Sequence, residues 1–193
     1  MKKFLLVLVL MFTVFSLVGC KEKVLENPEK NYYATGQFAG WGDAAGNATY
    51  AMAPIKLSDE RVASIKDKLK SATYLYVLEI TLPTGDAGWT ATYTIDSVEK
   101  VFNGNLTVKV IRTAKSDETN EPEFWAQNPE SGKIDNLTPT TLYIPPFVEE
   151  NVGGAGSWND NSVAFEAGTY YLVFAEFVSQ KGVTRAMGLI KKV

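Results

Sequence analysis

The sequence predicts an all-β fold, an immunoglobulin-like β-sandwich with one short amphipathic helix. Two near-continuous apolar runs, at 73–82 and 169–178, are typical of buried strands. Two alternating segments, at 90–95 and 106–110, are typical of strands with one face on a core. Many short strands separated by turn-forming residues favour a sandwich over a helical bundle.

Four further segments have weaker or shorter strand signals, and they lie at 31–38, 48–53, 140–144 and 183–190. The region 114–162 fits the pattern badly, because it contains five prolines and many glycine, asparagine and aspartate residues. An unstructured connection of that length is uncommon in a compact domain. The region therefore holds either functional loops or strands without a clear sequence pattern.

One helix is predicted over 58–70. Ser58 is the expected N-cap, and two acidic residues follow it in the first turn, where the helix dipole favours anions. Val62, Ile65 and Leu69 then recur at helical spacing and predict one apolar face. The lysines near the end of the segment are expected on the solvated face.

The chain begins with the features of an export signal. Two lysines precede residues 4–18, which are almost wholly apolar but too few to span a bilayer comfortably. The segment Leu17-Val18-Gly19-Cys20 then resembles the lipobox of bacterial lipoproteins. This resemblance implies that Cys20 is lipidated and becomes the first residue of the mature chain. The alternative is a plain secretory signal with a chance cysteine.

The sequence thus predicts a signal peptide at 1–19, a charged tether at 20–30 and a β-sandwich domain at 31–193. Two acyl chains on Cys20 would make a stable anchor, because each buried methylene contributes about 0.8 kcal/mol. We therefore expect a lipid-anchored protein on the cell membrane or outer membrane, facing outward.

The composition excludes several classes of site. The chain has no histidine, so imidazole bases and Ser-His-Asp triads are excluded. It has no cysteine after position 20, which excludes internal disulfides, zinc ribbons and a thiol nucleophile. The formal charge of −3 is too mild to indicate a nucleic-acid partner. With no nucleophile–base arrangement in the sequence, we predict no catalytic residue and no enzyme.

Two asparagine- and aspartate-rich segments offer oxygen ligands for calcium. One contains Asp160 between Asn159 and Asn161, and the other contains Asp43 and Asn47. Neither completes a calcium-loop signature. We therefore predict no metal and no other cofactor.

The four tryptophans, Trp41, Trp89, Trp125 and Trp158, all lie beside turn-forming residues. An indole in such a turn is expected to have a solvent-exposed face. Exposed rings flanked by aspartate and asparagine suit sugar recognition, because the ring stacks on a pyranose while the polar groups bind hydroxyls. The alternative is that the rings fold back over the end of the sandwich, as buried tryptophans commonly do.

The segment 32–41, YYATGQFAGW, resembles the opening strand and turn of starch- and glycogen-binding modules. Those modules carry a strand followed by Gly-x-Phe-Asn-x-Trp. Gly36, Phe38 and Trp41 match this pattern, whereas Ala39 stands where the family prefers asparagine.

Within this group the sequence is similar to surface starch-binding lipoproteins of the SusE and SusF type. Their domains often close with an asparagine, a short strand, a Gly-Thr-Tyr turn and an aromatic strand, and residues 161–172, NSVAFEAGTYYL, fit that ending. The similarity covers about a third of the domain. The helix and the region 114–162 depart from it.

The resemblance implies a lipoprotein that binds an extracellular polysaccharide or oligosaccharide, an α-glucan above all, without cleaving it. The implied partner is an envelope hydrolase or transporter. Trp41 is then the main stacking ring. The further candidates are Trp89 and Trp158 as second rings of a cleft, and Asp43, Asp160 and Asn161 as hydrogen-bonding groups.

Two other classes remain open at this point. A protein-interaction or adhesion lipoprotein of the envelope would use the tryptophans as a contact patch. A small surface enzyme would need two facing carboxylates in a cleft.

Overall fold

A computed structural model of the chain describes residues 22–39, 44–82, 90–95, 98–103, 105–116, 120–127, 147–148, 152–154, 158–159 and 167–193. Within these ranges the chain consists mainly of antiparallel strands. The described part has one helix longer than a single turn, a 3-10 helix at Glu60–Leu69.

The described strands, in chain order, are β1 (Lys30–Gly36), β2 (Ala53–Pro54), β3 (Tyr74–Leu82), β4 (Thr90–Ile95), β5 (Val98–Asn103), β6 (Asn105–Leu106), β7 (Val108–Ala114), β8 (Asn120–Ala126), β9 (Val152–Gly153), β10 (Trp158–Asn159), β11 (Gly168–Ser179) and β12 (Gly182–Lys191). Sheet A has the order β1-β7-β8-β9, and sheet B has the order β12-β11-β3-β2. β4 pairs with β5, and β6 pairs with β10.

Sheets A and B share one apolar core. Tyr32, Val110 and Phe124 of sheet A belong to the same buried cluster as Leu172 and Phe174 of sheet B. Along β1, β7, β8, β11 and β12 the residues that enter this cluster are two positions apart, as expected for strands with one face on a core. The prediction of an all-β sandwich is confirmed.

Sheet B is buried on its second face as well, near the start of β3. Leu75 and Val77 of β3 pack there against Val62 and Leu69 of the helix. Burial on both faces explains why this strand reads as a near-continuous apolar run rather than as an alternating one.

The longer predicted strands agree with the structure to within a few residues. The predicted strand at 48–53 is wrong over 48–50, while Ala51 forms an isolated bridge with Tyr33 and Ala53 begins β2. Ala48–Tyr50 forms a single 3-10 turn instead, because the Asn47 side chain caps it by accepting a hydrogen bond from the Thr49 amide at 3.0 Å. The predicted strand at 140–144 lies outside the described residues.

The predicted helix exists but begins one residue later than expected. Asp59, not Ser58, is the N-cap, and its side chain accepts a hydrogen bond from the Arg61 amide at 3.0 Å. Asp59 also binds the Arg61 side chain at 2.8 Å, a contact that serine is unable to provide.

Residues from Leu25 onward, within the predicted tether, lie on the domain. The Leu25 amide donates to the Ile55 carbonyl at 2.9 Å, and the Leu25 carbonyl accepts from the Leu75 amide at 2.8 Å. The Glu29 carbonyl then accepts from the Lys115 amide of the β7–β8 connection at 2.9 Å. This segment therefore covers the edge of the sandwich by bonding to both sheets.

The sandwich has two ends, which we name by their connections. The loop end lies at Gly36, Leu82 and Gly168, since Leu82 is the register partner of Gly168. The hairpin end lies at Glu176, which pairs with Tyr74, and at the turn that joins β11 to β12.

Gly36 is required by the close approach of β7 at the loop end. A Cβ at this position would lie 2.3 Å from the Thr107 carbonyl oxygen, which is backbone and has little freedom to move. We expect Gly36→Ala to lower the free energy of unfolding by about 1–3 kcal/mol, the usual cost of overpacking. Urea unfolding followed by far-UV circular dichroism measures this change.

The matched control is Gly154→Ala, because nothing lies within 4 Å of a Cβ at that glycine. An equal loss of stability in both variants would show that the contact with Thr107 is not the cause.

Candidate functional site

The loop end is where the chain segments with most of the predicted binding residues leave the described strands. Tyr32, near the start of β1, contacts Tyr76, near the start of β3. The turn Gln37–Ala39, which follows β1, also contacts β3. The two strands therefore run in the same direction, one in each sheet. Gly36 therefore lies towards the same end as Leu82. The Leu106–Trp158 pair lies there too, because Val108, two residues from Leu106, is the partner of Gly36.

Six predicted residues lie outside the described part of the chain, namely Cys20, Trp41, Asp43, Trp89, Asp160 and Asn161. Apart from Cys20, they lie in segments that connect to described residues at the loop end in three places. Residues 40–43 follow the turn after β1, residues 83–89 follow Leu82, and residues 160–166 follow β10. Three segments with candidate tryptophan, aspartate and asparagine residues thus start from one end of the sandwich.

Trp158 is placed differently from the expectation. Its side chain is 0% exposed and belongs to the core between the sheets, because β10 pairs with β6 and directs the ring inward beside Leu106. A ring without an exposed face has no surface on which a sugar can stack. In this structure Trp158 is therefore a core residue rather than a binding platform.

Trp125 is the partly exposed tryptophan of the described residues. Its neighbours Phe124 and Ala126 enter the core, so the Trp125 side chain lies on the outer face of sheet A. The Lys109 Nζ lies 5.2 Å from the centre of the indole ring and 2.6 Å from Glu123 Oε1. A flat ring, an ammonium and a carboxylate are therefore adjacent on this face.

A glycine of the neighbouring strand lies opposite Trp125, and a glutamine side chain fills the space above it. Gly153 of β9 is the register partner of Trp125 and carries no side chain. The Gln127 side chain occupies the space that a Cβ at Gly153 would fill, and its Nε2 donates to the Gly154 carbonyl at 3.1 Å. A side-chain amide thus lies close to the indole.

Sequence reasoning did not select Trp125, because strand β8 itself escaped prediction. Its sequence, NEPEFWA, contains a proline and two glutamates and lies within the irregular region 114–162. The available signal was the alternation of Glu121 and Glu123 with Pro122 and Phe124, which is too short to identify a strand.

The hairpin end contains a buried carboxylate held by three side chains. Glu176 is 2% exposed, and its Oε2 accepts a hydrogen bond from the Tyr32 hydroxyl at 2.7 Å. Its Oε1 accepts from Arg185 Nε at 2.8 Å and lies 3.5 Å from Arg112 NH1. The Arg185 guanidinium also lies 4.2 Å from the centre of the Phe124 ring.

This cluster connects four strands and two sheets. Tyr32 and Arg112 come from sheet A, whereas Glu176 and Arg185 come from sheet B. Each carboxylate oxygen has a donor, so the charge is paired as a buried charge must be. We interpret the cluster as a structural link between the sheets.

The nearby pocket is too small for a sugar chain. It has a volume of about 110 Å³ and is lined by Tyr32, Tyr76, Met52 and Lys30, among others, at the edge where β1 and β2 approach each other. Ligand sites for molecules of drug size have about 300–1,000 Å³. A polysaccharide would therefore bind elsewhere.

Two tyrosines of this region hold their protons strongly. Burial, reinforced by the hydrogen bond to Glu176, raises the pKa of Tyr32 above its ordinary value. Burial also raises the pKa of Tyr76, against the opposing effect of the Asn27 amide, which donates to the Tyr76 hydroxyl at 2.7 Å. Both phenols are neutral hydrogen-bonding groups in the folded protein at physiological pH.

No protein-family model, curated protein or solved structure matches the chain.

Within the described ranges, no helix has the length and apolar character needed to cross a membrane. The same residues contain no group of three or more cysteine, aspartate or glutamate side chains arranged to hold a metal ion.

The Glu176 cluster generates a prediction about stability. Glu176→Gln removes the charge that pairs with Arg185 and Arg112, and breaking a buried ion pair on one side costs about 3–5 kcal/mol. Urea unfolding measures the loss. Glu79→Gln is the control, because Glu79 pairs with Lys192 at 2.8 Å in an exposed position, and we expect its unfolding midpoint to stay nearly unchanged. Similar midpoints for the two variants would contradict the structural role of Glu176.

The raised pKa values of Tyr32 and Tyr76 predict a loss of stability at alkaline pH. The unfolded chain releases these protons near pH 10, where the folded chain still holds them. Their contribution is therefore complete below about pH 10 and falls as the pH rises further. Thermal melts between pH 8 and 12 measure the slope. Tyr32→Phe and Tyr76→Phe should each flatten it, and an unchanged slope in both variants would refute the assignment.

Proposed function

We propose that the chain is an exported, lipid-anchored β-sandwich that binds an extracellular polysaccharide, an α-glucan above all, without cleaving it. The observation that supports this most directly is the convergence at the loop end. The segments with Trp41, Trp89 and Asp160 all leave described strands there. Several short loops from one end of a rigid sandwich are a common arrangement for a binding surface.

The structure also gives a physical reason for two of the three residues that match starch-binding modules. Gly36 lets β1 approach the Thr107 carbonyl closely, and the half-buried Phe38 packs against the core as the chain turns. Both residues therefore fix the turn that leads to residue 41. In the proposal, the third matching residue, Trp41, supplies the stacking ring.

Trp125 extends the proposed surface. It lies near the loop end, because its partner Lys109 is adjacent to Val108, which pairs with Gly36. The indole would stack on a sugar ring while Gln127 and Glu123 bind hydroxyl groups. In the proposal, Trp125 takes the place of the buried Trp158 as an additional ring.

Affinity electrophoresis of the mature domain tests the proposal. Gels that contain starch or glycogen should retard the domain, and gels without glycan should not. Trp41→Ala, Trp89→Ala and Trp125→Ala should each weaken retention several-fold, because each aromatic contact is worth about 0.5–1.5 kcal/mol. The far-UV spectrum of each variant should be unchanged.

Lys66→Ala is the control for surface changes, since Lys66 is exposed on the helix, and the helix packs near the start of β3, away from the loop end. It should leave retention unchanged. Unretarded migration of the wild-type domain in every glycan tested would refute the proposal. Capture of a defined envelope protein in that case would support the adhesion class instead.

A further inference from the structure

The fixed position of Leu25 limits where a lipid on Cys20 can lie. From Leu25 onward the chain is bonded to the domain, through Ile55 and Leu75 and then through Asn27, whose amide binds the Tyr76 hydroxyl. Leu25 also packs in the apolar cluster between sheet B and the helix. Only five residue steps separate Leu25 from Cys20. Fully extended, they span about 17 Å.

The β11–β12 hairpin projects away from the loop end. Its tip extends beyond the level of Leu25 by about as much as the extended segment 20–25 spans. Leu75, which binds Leu25, is the register partner of Ala175. The turn residue Gln180 lies five residues beyond Ala175, which is about 17 Å along the strand. Sideways, Leu25 and β11 lie on opposite sides of β3, about two strand spacings or 10 Å apart. At full extension of residues 20–25, Cys20 can therefore reach the same level beyond Leu25 as the hairpin tip, so that the lipid and the tip can meet one bilayer surface.

The tip also exposes apolar side chains. Val178 is 49% exposed and Val183 is 41% exposed, and apart from the carboxyl-terminal Val193 they are the exposed large apolar residues of the described part. They are direct register partners, so they lie side by side on one face of the hairpin. Lys181 lies in the turn between them.

The ribbon that carries these side chains is firmly held. The Val178 amide donates to the Thr73 hydroxyl at 3.0 Å, and the Thr73 amide donates to the Glu176 carbonyl at 2.9 Å. The paired valines are therefore presented in a fixed orientation at the hairpin end.

We propose that the tip of the β11–β12 hairpin, Val178–Val183, contacts the surface of the bilayer in which the Cys20 lipid is embedded. This inference rests on the lipidation of Cys20 that the proposed function includes. Two valines and a lysine suit an interface, because the apolar groups enter the headgroup boundary while the ammonium remains at the polar surface.

This contact would orient the domain. Leu82 lies seven residues from Leu75 along β3, which places the loop end about 24 Å further from the bilayer than the level of Leu25. The loop end would then face outward, where a polymer too large to approach the bilayer remains accessible.

Fluorescence quenching on the lipid-modified full chain tests the contact. The chain is reconstituted in phosphatidylethanolamine–phosphatidylglycerol vesicles that contain a nitroxide on the lipid headgroup. Gln180→Cys and Thr81→Cys provide single labelling sites, because Cys20 is blocked by its lipid and the chain has no other cysteine. Gln180 lies at the hairpin tip, and Thr81 is exposed next to Leu82 at the loop end.

We expect the dye at position 180 to be quenched at least twofold more strongly than the dye at position 81. Adding Val178→Asp and Val183→Asp should reduce quenching at position 180 while the protein still sediments with the vesicles. Equal quenching at the two positions, or stronger quenching at position 81, would overturn the proposed contact.

Sedimentation separates this outcome from a failure of the proposed anchor. A mature chain that begins at residue 20 and carries Cys20→Ser should not bind the vesicles. If the serine variant remains bound to the same extent, the lipid anchor itself is refuted, together with the orientation that depends on it. Glycan retention of the mature domain is measured independently of both results.

Discussion

The carboxylate of Glu176 is the polar interaction on which the alignment of the two sheets depends. Among the described residues the two sheets otherwise meet largely through apolar side chains, whose contacts have no preferred direction. A buried charge is different, because each of its oxygens must meet a donor. The bonds from Tyr32 and Arg185 come from opposite sheets and satisfy both oxygens. They therefore fix the relative position of β1 and β11 at the hairpin end.

This alignment has consequences at both ends of the sandwich. At the hairpin end, Asn27 bonds to Tyr32 and Tyr76, so the same cluster holds the segment that follows the proposed lipid. At the loop end, the alignment places Gly36 and Leu82 at the same end of the sandwich. The connections that leave these strands therefore start from the same end of the sandwich, and the proposed binding surface depends on this arrangement.

The proposed function places membrane attachment and polymer binding at opposite ends of the sandwich. The chain is bonded to the domain from Leu25, and exposed valines project beyond it at the hairpin tip. The binding residues are proposed at the other end, and Trp125 lies near that end on the outer face of sheet A. Such a molecule would hold a polymer away from the bilayer, at a distance set by the length of the strands.

Much of the fold could be predicted from local pattern. The strands around 73–82 and 169–178 contain long apolar runs, and the helix has apolar residues at helical spacing. β8 could not be predicted in this way, because its proline and glutamates conceal the alternation. The N-cap is Asp59 and not the predicted Ser58, because the Asp59 side chain binds Arg61. The spacing of apolar residues does not reveal this contact.

The sequence by itself determined the composition of the candidate site, the absence of imidazole and of thiols after Cys20, and the sandwich class. Only the tertiary structure decided which aromatic rings belong to the core. Trp158 has polar neighbours along the chain and Trp125 has apolar ones, yet pairing with β6 turns the Trp158 ring inward, and the pleat of β8 turns the Trp125 ring outward. The side of a sheet that a residue faces depends on long-range strand pairing, which neighbouring residues do not encode.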